Sequence, residues 1–231
     1  AGGTVSQIKD NELVITSLDA NGNVSGIQVL NHLRVSGEGA VQITDKSAFK
    51  LSSVRNLYGR DKIAISDGQV VVNTELKGLK DIYYLATLDQ SAVKDMEFPV
   101  NLAIEYFLDG EQLKPAELLG KSGHLKIVVT VENTSGVPKI LEFQNDKGEK
   151  FLKEAIVFTP YVVSLSGWQF DNKFFDNIIA PGVGGESPEG VVTDIQGVTN
   201  VSWTIPLIPP AYPSQQYAVL EADGKNIQLS S

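Results

Sequence analysis

The sequence predicts an all-β protein with two sandwich-like domains in the immunoglobulin style and one short helix. Segments whose residues alternate between apolar and polar recur along the chain, as in 100–108. Such alternation indicates a strand with one buried and one solvated face. Turns containing Asn-Gly or Asp-Gly occur at Gly22, Gly68 and Gly110. Both dipeptides favour hairpins because their residues tolerate a positive φ.

Hairpins account for most of the first part of the chain. The dipeptide Asn21-Gly22 joins two β-prone segments, and Asp67-Gly68 joins two more. The stretch 31–50 between them is mixed in character, which predicts loop-rich structure. The strands expected in this part are 12–18, 24–30, 62–65, 69–74 and 81–88.

A polar break at 89–95 marks the expected domain boundary. The 231 residues are enough for two domains, since domains usually hold about 100–150 residues. We therefore expect an N-terminal β domain over 1–94 and a C-terminal immunoglobulin-like β-sandwich over 95–231. One larger sandwich is the structural alternative.

The second part of the chain contains the strongest helix signal. Pro115 begins a short apolar segment and Gly120 ends it, which predicts one or two helical turns. Two stretches rich in glycine or proline, 179–190 and 206–213, are expected to be loops. The expected strands are 100–108, 123–132, 155–164, 198–206, 217–221 and 227–229.

The composition argues against several classes of function. The sequence has no cysteine, which excludes disulfides, thiolate catalysis and zinc–thiolate sites. Its formal net charge of -9 disfavours binding to nucleic acid, because the phosphate backbone is also negative. No apolar segment reaches the roughly 20 residues that a membrane-spanning helix needs. We expect no cofactor and no metal.

The two histidines do not form an evident active site. His32 and His124 lie far apart in the sequence. A histidine base needs a nucleophile and an orienting acid beside it, and neither histidine has these groups among its sequence neighbours. A solvated strand position is expected for His124.

Two short motifs match ligand-binding loops only in part. Asp19, Asn21 and Asn23 have the spacing that starts a calcium loop, but Val24 stands where that loop needs glycine. The glycine-rich segment 182–185 lacks the Lys-Ser/Thr ending of a phosphate loop. We expect a plain turn at the first motif and a surface loop at the second.

Aromatic side chains are the candidate binding residues. Trp168 and Phe170 lie in a cluster with Phe174 and Phe175, and Tyr212 lies in a proline-rich loop. Exposed aromatic rings bind sugars and peptides well. The candidate ligand-binding set is therefore Trp168, Phe170 and Tyr212. The alternative is that Trp168, Phe170 and their neighbours are core residues.

The middle of the chain resembles a known family. The matching stretches include IEYFLDG at 104–110 and LLGKSGHLKI at 118–127, with weaker matches at 29–33 and 159–161. They are similar to the extracytoplasmic β-rich region of bacterial, mostly Gram-positive, membrane-anchored proteins with heptad repeats, the YhgE and phage-infection-protein relatives. The resemblance implies an ectodomain, secreted or on the outer face of the cell membrane, that continues into a coiled coil and a membrane anchor. It implies no enzymatic activity and no catalytic residues.

We therefore expect a non-catalytic extracellular interaction or scaffold module of an envelope protein. Its expected partner is a protein or a cell-wall polymer, and it would meet the membrane only through segments absent from this sequence. One alternative is a carbohydrate- or cell-wall-binding module that uses the aromatic set. A second is a hydrolase whose two catalytic carboxylates are brought together by folding.

Overall fold

The computed structural model describes residues 2–94, 96–182, 184 and 187–228. Strands hold 67% of the residues and helices 4%, and the sheets are antiparallel, which confirms the all-β class. The strands are β1 (Thr4–Leu18), β2 (Val24–Asp45), β3 (Leu51–Asn56), β4 (Lys62–Ser66), β5 (Gln69–Leu88), β6 (Val100–Leu108), β7 (Glu111–Leu113), β8 (Gly123–Asn133), β9 (Val137–Gln144), β10 (Lys150–Val157), β11 (Tyr161–Asp171), β12 (Phe175–Ile179), β13 (Val191–Ile195), β14 (Val198–Leu207) and β15 (Gln215–Gly224).

The chain divides into two compact units. Unit 1 holds the residues up to Asp19 and those from Asn23 to Glu97. Unit 2 holds Ala20–Gly22 and the chain from Phe98 onward. Each unit has its own cluster of buried apolar side chains.

Unit 1 is a five-stranded antiparallel sheet in the order β1-β2-β5-β3, with β4 paired to β5. Its central strands are long: β2 pairs with β5 from Gln28↔Thr87 to Asp45↔Val70. Buried residues alternate along both strands, so one face of the sheet carries the core. That core contains Leu33, Val35, Ile43, Val70, Val72, Leu76, Ile82, Tyr84 and Ala86.

The loop-rich structure expected at 31–50 is wrong over most of that stretch. Residues 31–45 continue β2 and pair with β5 throughout. The mixed character of the stretch is what predicts a loop there. Gly37 instead lets the Thr4 carbonyl of β1 approach closely, and the charged Arg34 is a solvent-facing residue between buried Leu33 and Val35.

Unit 2 is a sandwich of two sheets. A five-stranded sheet has the order β12-β15-β8-β6-β7, and a three-stranded sheet has the order β11-β14-β13. Both contribute to one core: Leu125 and Ile127 come from β8, while Trp203 and Ile205 come from β14. The immunoglobulin-like detail expected for this domain stays a prediction.

The strand expected at 155–164 is two strands. β10 ends at Val157 and β11 begins at Tyr161, because Pro160 between them has no backbone N–H to continue a ladder. β10 pairs with β9, a strand that the sequence analysis missed, and these two strands form a separate sheet.

The helical segments are short. A 3-10 helix spans Pro115–Leu118, where the sequence predicts a short helix, and the Lys114 backbone N–H donates to Glu117 Oε2 at 2.7 Å. A five-residue α-helix, α1 (Gln90–Lys94), occupies the polar break. Within the described ranges, no helix has the length and apolarity needed to cross a membrane.

The strand expected at 227–229 is not formed over its described residues. Ile227 and Gln228 lie outside regular structure, and Leu229 lies outside the described residues. Ile227 is fully buried, and its backbone N–H donates to the Lys121 carbonyl at 2.8 Å. Its apolar side chain therefore fills the core of unit 2 without a strand.

Candidate functional site

The three aromatic residues expected to bind a ligand have different environments. Phe170 is only 5% exposed and packs edge-on against Phe175, with ring centroids 5.1 Å apart. Trp168 is half-buried, and its ring meets Trp203 edge-on at 6.1 Å. Tyr212 is exposed. Phe170 is therefore corrected from a binding residue to a core residue, because its side chain packs into the interior of the unit 2 sandwich.

His124 lies on the solvated face of unit 2, as expected from the sequence. It projects from β8 beside β15, where its Nδ1 is 3.2 Å from Asp223 Oδ1 and its Nε2 is 3.6 Å from Glu221 Oε2. Hydrogen bonds from Asn177 and His124 hold the pKa of Asp223 below its ordinary value. These groups form an exposed charge cluster across neighbouring strands.

The partial ligand-loop motifs show ordinary turn chemistry where the structure describes them. Asp19 Oδ1 accepts a hydrogen bond from the Asn23 backbone N–H at 2.9 Å, which closes the turn between β1 and β2. In the segment 182–185, only Gly182 and Gly184 are described. Among the described residues, no group of three or more His, Asp or Glu side chains is placed to hold a metal ion.

Three carboxylates of unit 1 interact around the hydroxyl of Tyr84. Tyr84 is buried, and its hydroxyl donates to Asp45. Loss of hydration raises the pKa of Asp10, and the charge of Asp45 raises it further. Loss of hydration, followed by the charges of Asp10 and Asp45, likewise raises the pKa of Glu12. Asp10 and Glu12 are nevertheless exposed on β1, and the hydrolase alternative stays a prediction.

The outer face of the unit 1 sheet gathers aromatic and apolar side chains. On this face His32 lies directly opposite Tyr83, and Leu30 lies opposite Leu85. The segment after β3 contributes Tyr58. We call this surface of β2, β5 and the segment after β3 the His32 face. It comprises Leu30, His32, Leu57, Tyr58, Asp81 and Tyr83.

Two contacts fix the orientation of His32. Its ring stacks on the Tyr83 ring with centroids 4.3 Å apart and planes 10° from parallel. Its Nε2–H donates to Asp81 Oδ1 at 2.7 Å, and Arg34 Nε lies 3.6 Å from the same oxygen. A carboxylate and a stacked ring together orient the imidazole of His32.

The segment that carries Tyr58 is tied to the sheet by backbone hydrogen bonds. The Leu57 N–H donates to the Tyr83 carbonyl at 2.9 Å, and the Tyr58 N–H donates to Asn56 Oδ1 at 3.0 Å. The Asn56 amide in turn donates to the Asp61 carbonyl at 2.8 Å. One asparagine side chain thus closes the segment, so its shape is set by the fold.

A part-buried ion pair holds the end of that segment. Lys80 Nζ lies 2.7 Å from Asp61 Oδ1 and donates to Thr74 Oγ1 at 2.8 Å, while the Thr74 hydroxyl donates to Asp61 at 2.6 Å. Burial opposes ionisation of Asp61, but the hydrogen bonds from Lys80 and Thr74 outweigh it, and the pKa of Asp61 lies below its ordinary value. The ionised Asp61 carboxylate and the Lys80 side chain therefore form a structural ion pair.

A shallow, open depression of about 520 Å³ lies on the His32 face and is lined by Leu30, Leu57, Tyr58, Asp81 and Tyr83. Tyr58 is 73% exposed and Leu57 is 41% exposed beside it. The Asp81 carboxylate, 38% exposed, supplies a charged hydrogen-bond acceptor in the same depression. Apolar walls with a few oriented polar groups are typical of ligand-binding surfaces.

Sequence reasoning did not place a site at His32 and missed its partners Asp81 and Tyr83. Asp81 is 49 positions away and meets His32 only through the pairing of β2 with β5. The available signal was Leu57-Tyr58, an apolar pair directly before Gly59 in a polar turn sequence. Large apolar residues in a turn indicate either a core contact or a binding contact, and here Tyr58 points to solvent.

Comparisons with known proteins do not assign the chain to a family. No protein-family model matches it. No curated protein and no solved structure matches it either.

Proposed function

We propose that the chain is a non-catalytic interaction module from the extracellular part of a bacterial membrane-anchored envelope protein, and that its His32 face binds cell-wall glycan. The observation that carries this proposal is the exposure of Tyr58, 73% at a depression formed with Tyr83 and Asp81. A large ring held out in water on a pre-shaped segment gains free energy when a ligand covers it.

The chemistry of the face favours a neutral sugar chain. A tyrosine ring offers a flat apolar surface for the C–H face of a pyranose, and its hydroxyl adds a polar edge. The Asp81 carboxylate accepts hydrogen bonds only, and sugar hydroxyls are donors at many positions. The net charge of -9 disfavours an anionic polymer, which leaves the uncharged glycan strand as the better candidate within the wall.

The extracellular location is supported by the family resemblance, which is strongest at 104–110 and 118–127. An immunoglobulin-like unit 2 would serve as a spacer or as a second interaction domain.

The test is co-sedimentation with insoluble cell-wall sacculi from a Gram-positive bacterium, stripped of teichoic acid. We expect the wild-type chain to sediment with the sacculi. Tyr58→Ala should weaken binding about tenfold or more, since an aromatic anchor contributes about 2 kcal/mol or more. Tyr212→Ala is the matched control, because Tyr212 is also an exposed tyrosine but lies in unit 2.

Each result discriminates between the alternatives. A wild-type chain that stays in the supernatant, as serum albumin does, would overturn glycan binding and favour a protein partner. Loss of binding in Tyr212→Ala with normal binding in Tyr58→Ala would move the site to the aromatics of unit 2. Equal loss in both variants would show that neither face alone is the site.

A further inference from the structure

The hairpin of β9 and β10 forms a sheet of its own. Among the described residues, each of its strands pairs only with the other, so both outer edges carry free backbone groups. An isolated two-stranded sheet is marginally stable in water, and three or more strands are the usual minimum. The hairpin therefore lacks the neighbour that would normally stabilise it.

Both faces of this hairpin carry exposed apolar side chains among charged ones. On one face, Ile140 is 72% exposed, Leu152 is 70% exposed and Ile156 is 65% exposed. On the other, Phe143 and Phe151 lie opposite each other with ring centroids 5.7 Å apart, and both are also exposed. Exposed apolar surface of this kind marks an interaction site.

The two edges of the hairpin differ in their capacity to pair. β9 contains Pro138, which has no backbone N–H and protects an edge from further strands. β10 contains no proline in its sequence KFLKEAIV. The edge that accepts a partner strand is therefore that of β10.

The charged residues of β10 favour antiparallel pairing with β10 of a second copy in one register. Two antiparallel copies of one strand are related by an axis perpendicular to the sheet, which keeps each side chain on its own face. If that axis passes at Leu152, Lys150 lies opposite Glu154 of the second copy and Glu154 lies opposite its Lys150. An axis at Lys153 or Glu154 would instead place like charges across from each other, which is destabilising.

We propose that the chain forms a two-fold dimer through antiparallel pairing of β10 with β10 of a second copy, centred on Leu152. The product is a four-stranded sheet in the order β9-β10-β10-β9. The Leu152 side chains of the two copies are in contact at its centre. Lys150 Nζ lies 2.8 Å from Glu142 Oε1 of its own chain, and in the dimer it also faces Glu154 of the other copy. Pro138 on each outer edge stops growth at two copies. The proposal does not rest on glycan binding.

The test is sedimentation equilibrium of the full chain over a concentration series. We expect a reversible shift from the 25.0 kDa monomer to a dimer of twice that mass. Glu154→Lys and Lys150→Glu each place like charges across the two-fold axis, so each should weaken dimerisation about tenfold or more. The double variant Lys150→Glu with Glu154→Lys restores opposite charges and should recover most of the affinity.

Lys147→Glu is the matched control, because Lys147 is an exposed lysine in the turn of the same hairpin, and it should dimerise as wild type does. Far-UV circular dichroism of every variant checks that the sheet is intact. The proposal is overturned by a wild-type chain that is monomeric at about 0.5 mM. Three other results would also overturn it. They are a dimer that neither single variant weakens, a double variant that dimerises as weakly as the single variants, and assembly beyond two copies.

Discussion

The Lys80 ammonium lies 2.7 Å from the Asp61 carboxylate, although the two residues are 19 positions apart. The Asp61 side chain is 12% exposed and that of Lys80 is 33% exposed. This pair connects the end of the Tyr58 segment to β5, and it therefore helps to shape the His32 face.

Replacing the cation should loosen unit 1. Lys80→Met leaves the Asp61 carboxylate with the Thr74 hydroxyl as its remaining side-chain donor, and we expect a loss of about 1–3 kcal/mol in unfolding free energy. Hydrogen exchange at the β5 amides measures this loss. Lys50→Met is the control: its partner Asp89 is 3.6 Å away and Lys50 is 71% exposed, so the change should be within about 0.5 kcal/mol.

The stability that Asp61 provides should depend on pH with a defined sign. Its pKa is lowered in the folded chain, so its contribution is present above the ordinary value of 3.8 and is lost as pH falls through the lower folded pKa. In Asp61→Asn, the unfolding free energy of unit 1 should lose this acid dependence. An acid limb identical to wild type would contradict the assignment.

Glu12 should show the opposite dependence. Loss of hydration and the charges of Asp10 and Asp45 raise its pKa above the ordinary 4.5. The protonated form is therefore favoured by folding, a stabilisation that is complete below 4.5 and is lost as pH rises through the folded pKa.

Glu12→Gln should consequently stabilise unit 1 at neutral pH by about 0.5 kcal/mol or less, because Glu12 is exposed and solvent screens much of the repulsion that the substitution removes. Urea unfolding at pH 5 and pH 8 measures this gain, which should be larger at the higher pH. Glu75→Gln, at an exposed glutamate of the same sheet, should leave stability unchanged. Destabilisation by Glu12→Gln would show that the carboxylate is held by a favourable contact.

Gly37 should be intolerant of a side chain while Gly26 on the same strand tolerates one. A Cβ at Gly37 would overlap the Thr4 carbonyl oxygen and lie 2.9 Å from Leu76 Cδ1, whereas nothing lies within 4 Å of one at Gly26. We expect Gly37→Ala to cost about 1–3 kcal/mol and to raise hydrogen exchange at the start of β1. Gly26→Ala should be neutral within about 0.5 kcal/mol.

Alanine substitutions at Phe170 and Tyr212 should change the unfolding free energy of unit 2 by very different amounts. Phe170→Ala removes a ring that is 5% exposed and should cost about 3–5 kcal/mol. Tyr212→Ala removes a ring that is 49% exposed and should cost less than about 0.5 kcal/mol. Both tryptophans, Trp168 and Trp203, belong to unit 2, so tryptophan fluorescence during denaturation reports this unit alone.

Local chemistry accounts for the parts of the fold that the sequence predicts correctly. The turns at Gly22, Gly68 and Gly110 have the positive φ that glycine permits. The alternation in 123–132 matches β8, whose residues are buried at nearly every second position. Pro115 begins a 3-10 helix where a short helix is expected. In each case the preference arises within a few residues of chain.

Most residues of the candidate site could not be predicted from the sequence. Trp168 and Phe170 are two residues apart on β11 and share one face, and packing of the two sheets covers that face, which leaves Phe170 buried and Trp168 half-buried. The stretch 31–45 has the composition of a loop, and it becomes a strand because β1 and β5 lie on either side of it.

The sequence by itself determined the all-β class, most hairpin turns and the absence of thiol chemistry, since these follow from short-range backbone preferences and from composition. Tertiary structure alone decided that His32 meets Asp81, that Lys80 meets Asp61 and that β9 and β10 stand apart from the other sheets. Those contacts depend on strand register between distant segments, where a shift of one residue would move every side chain to the opposite face.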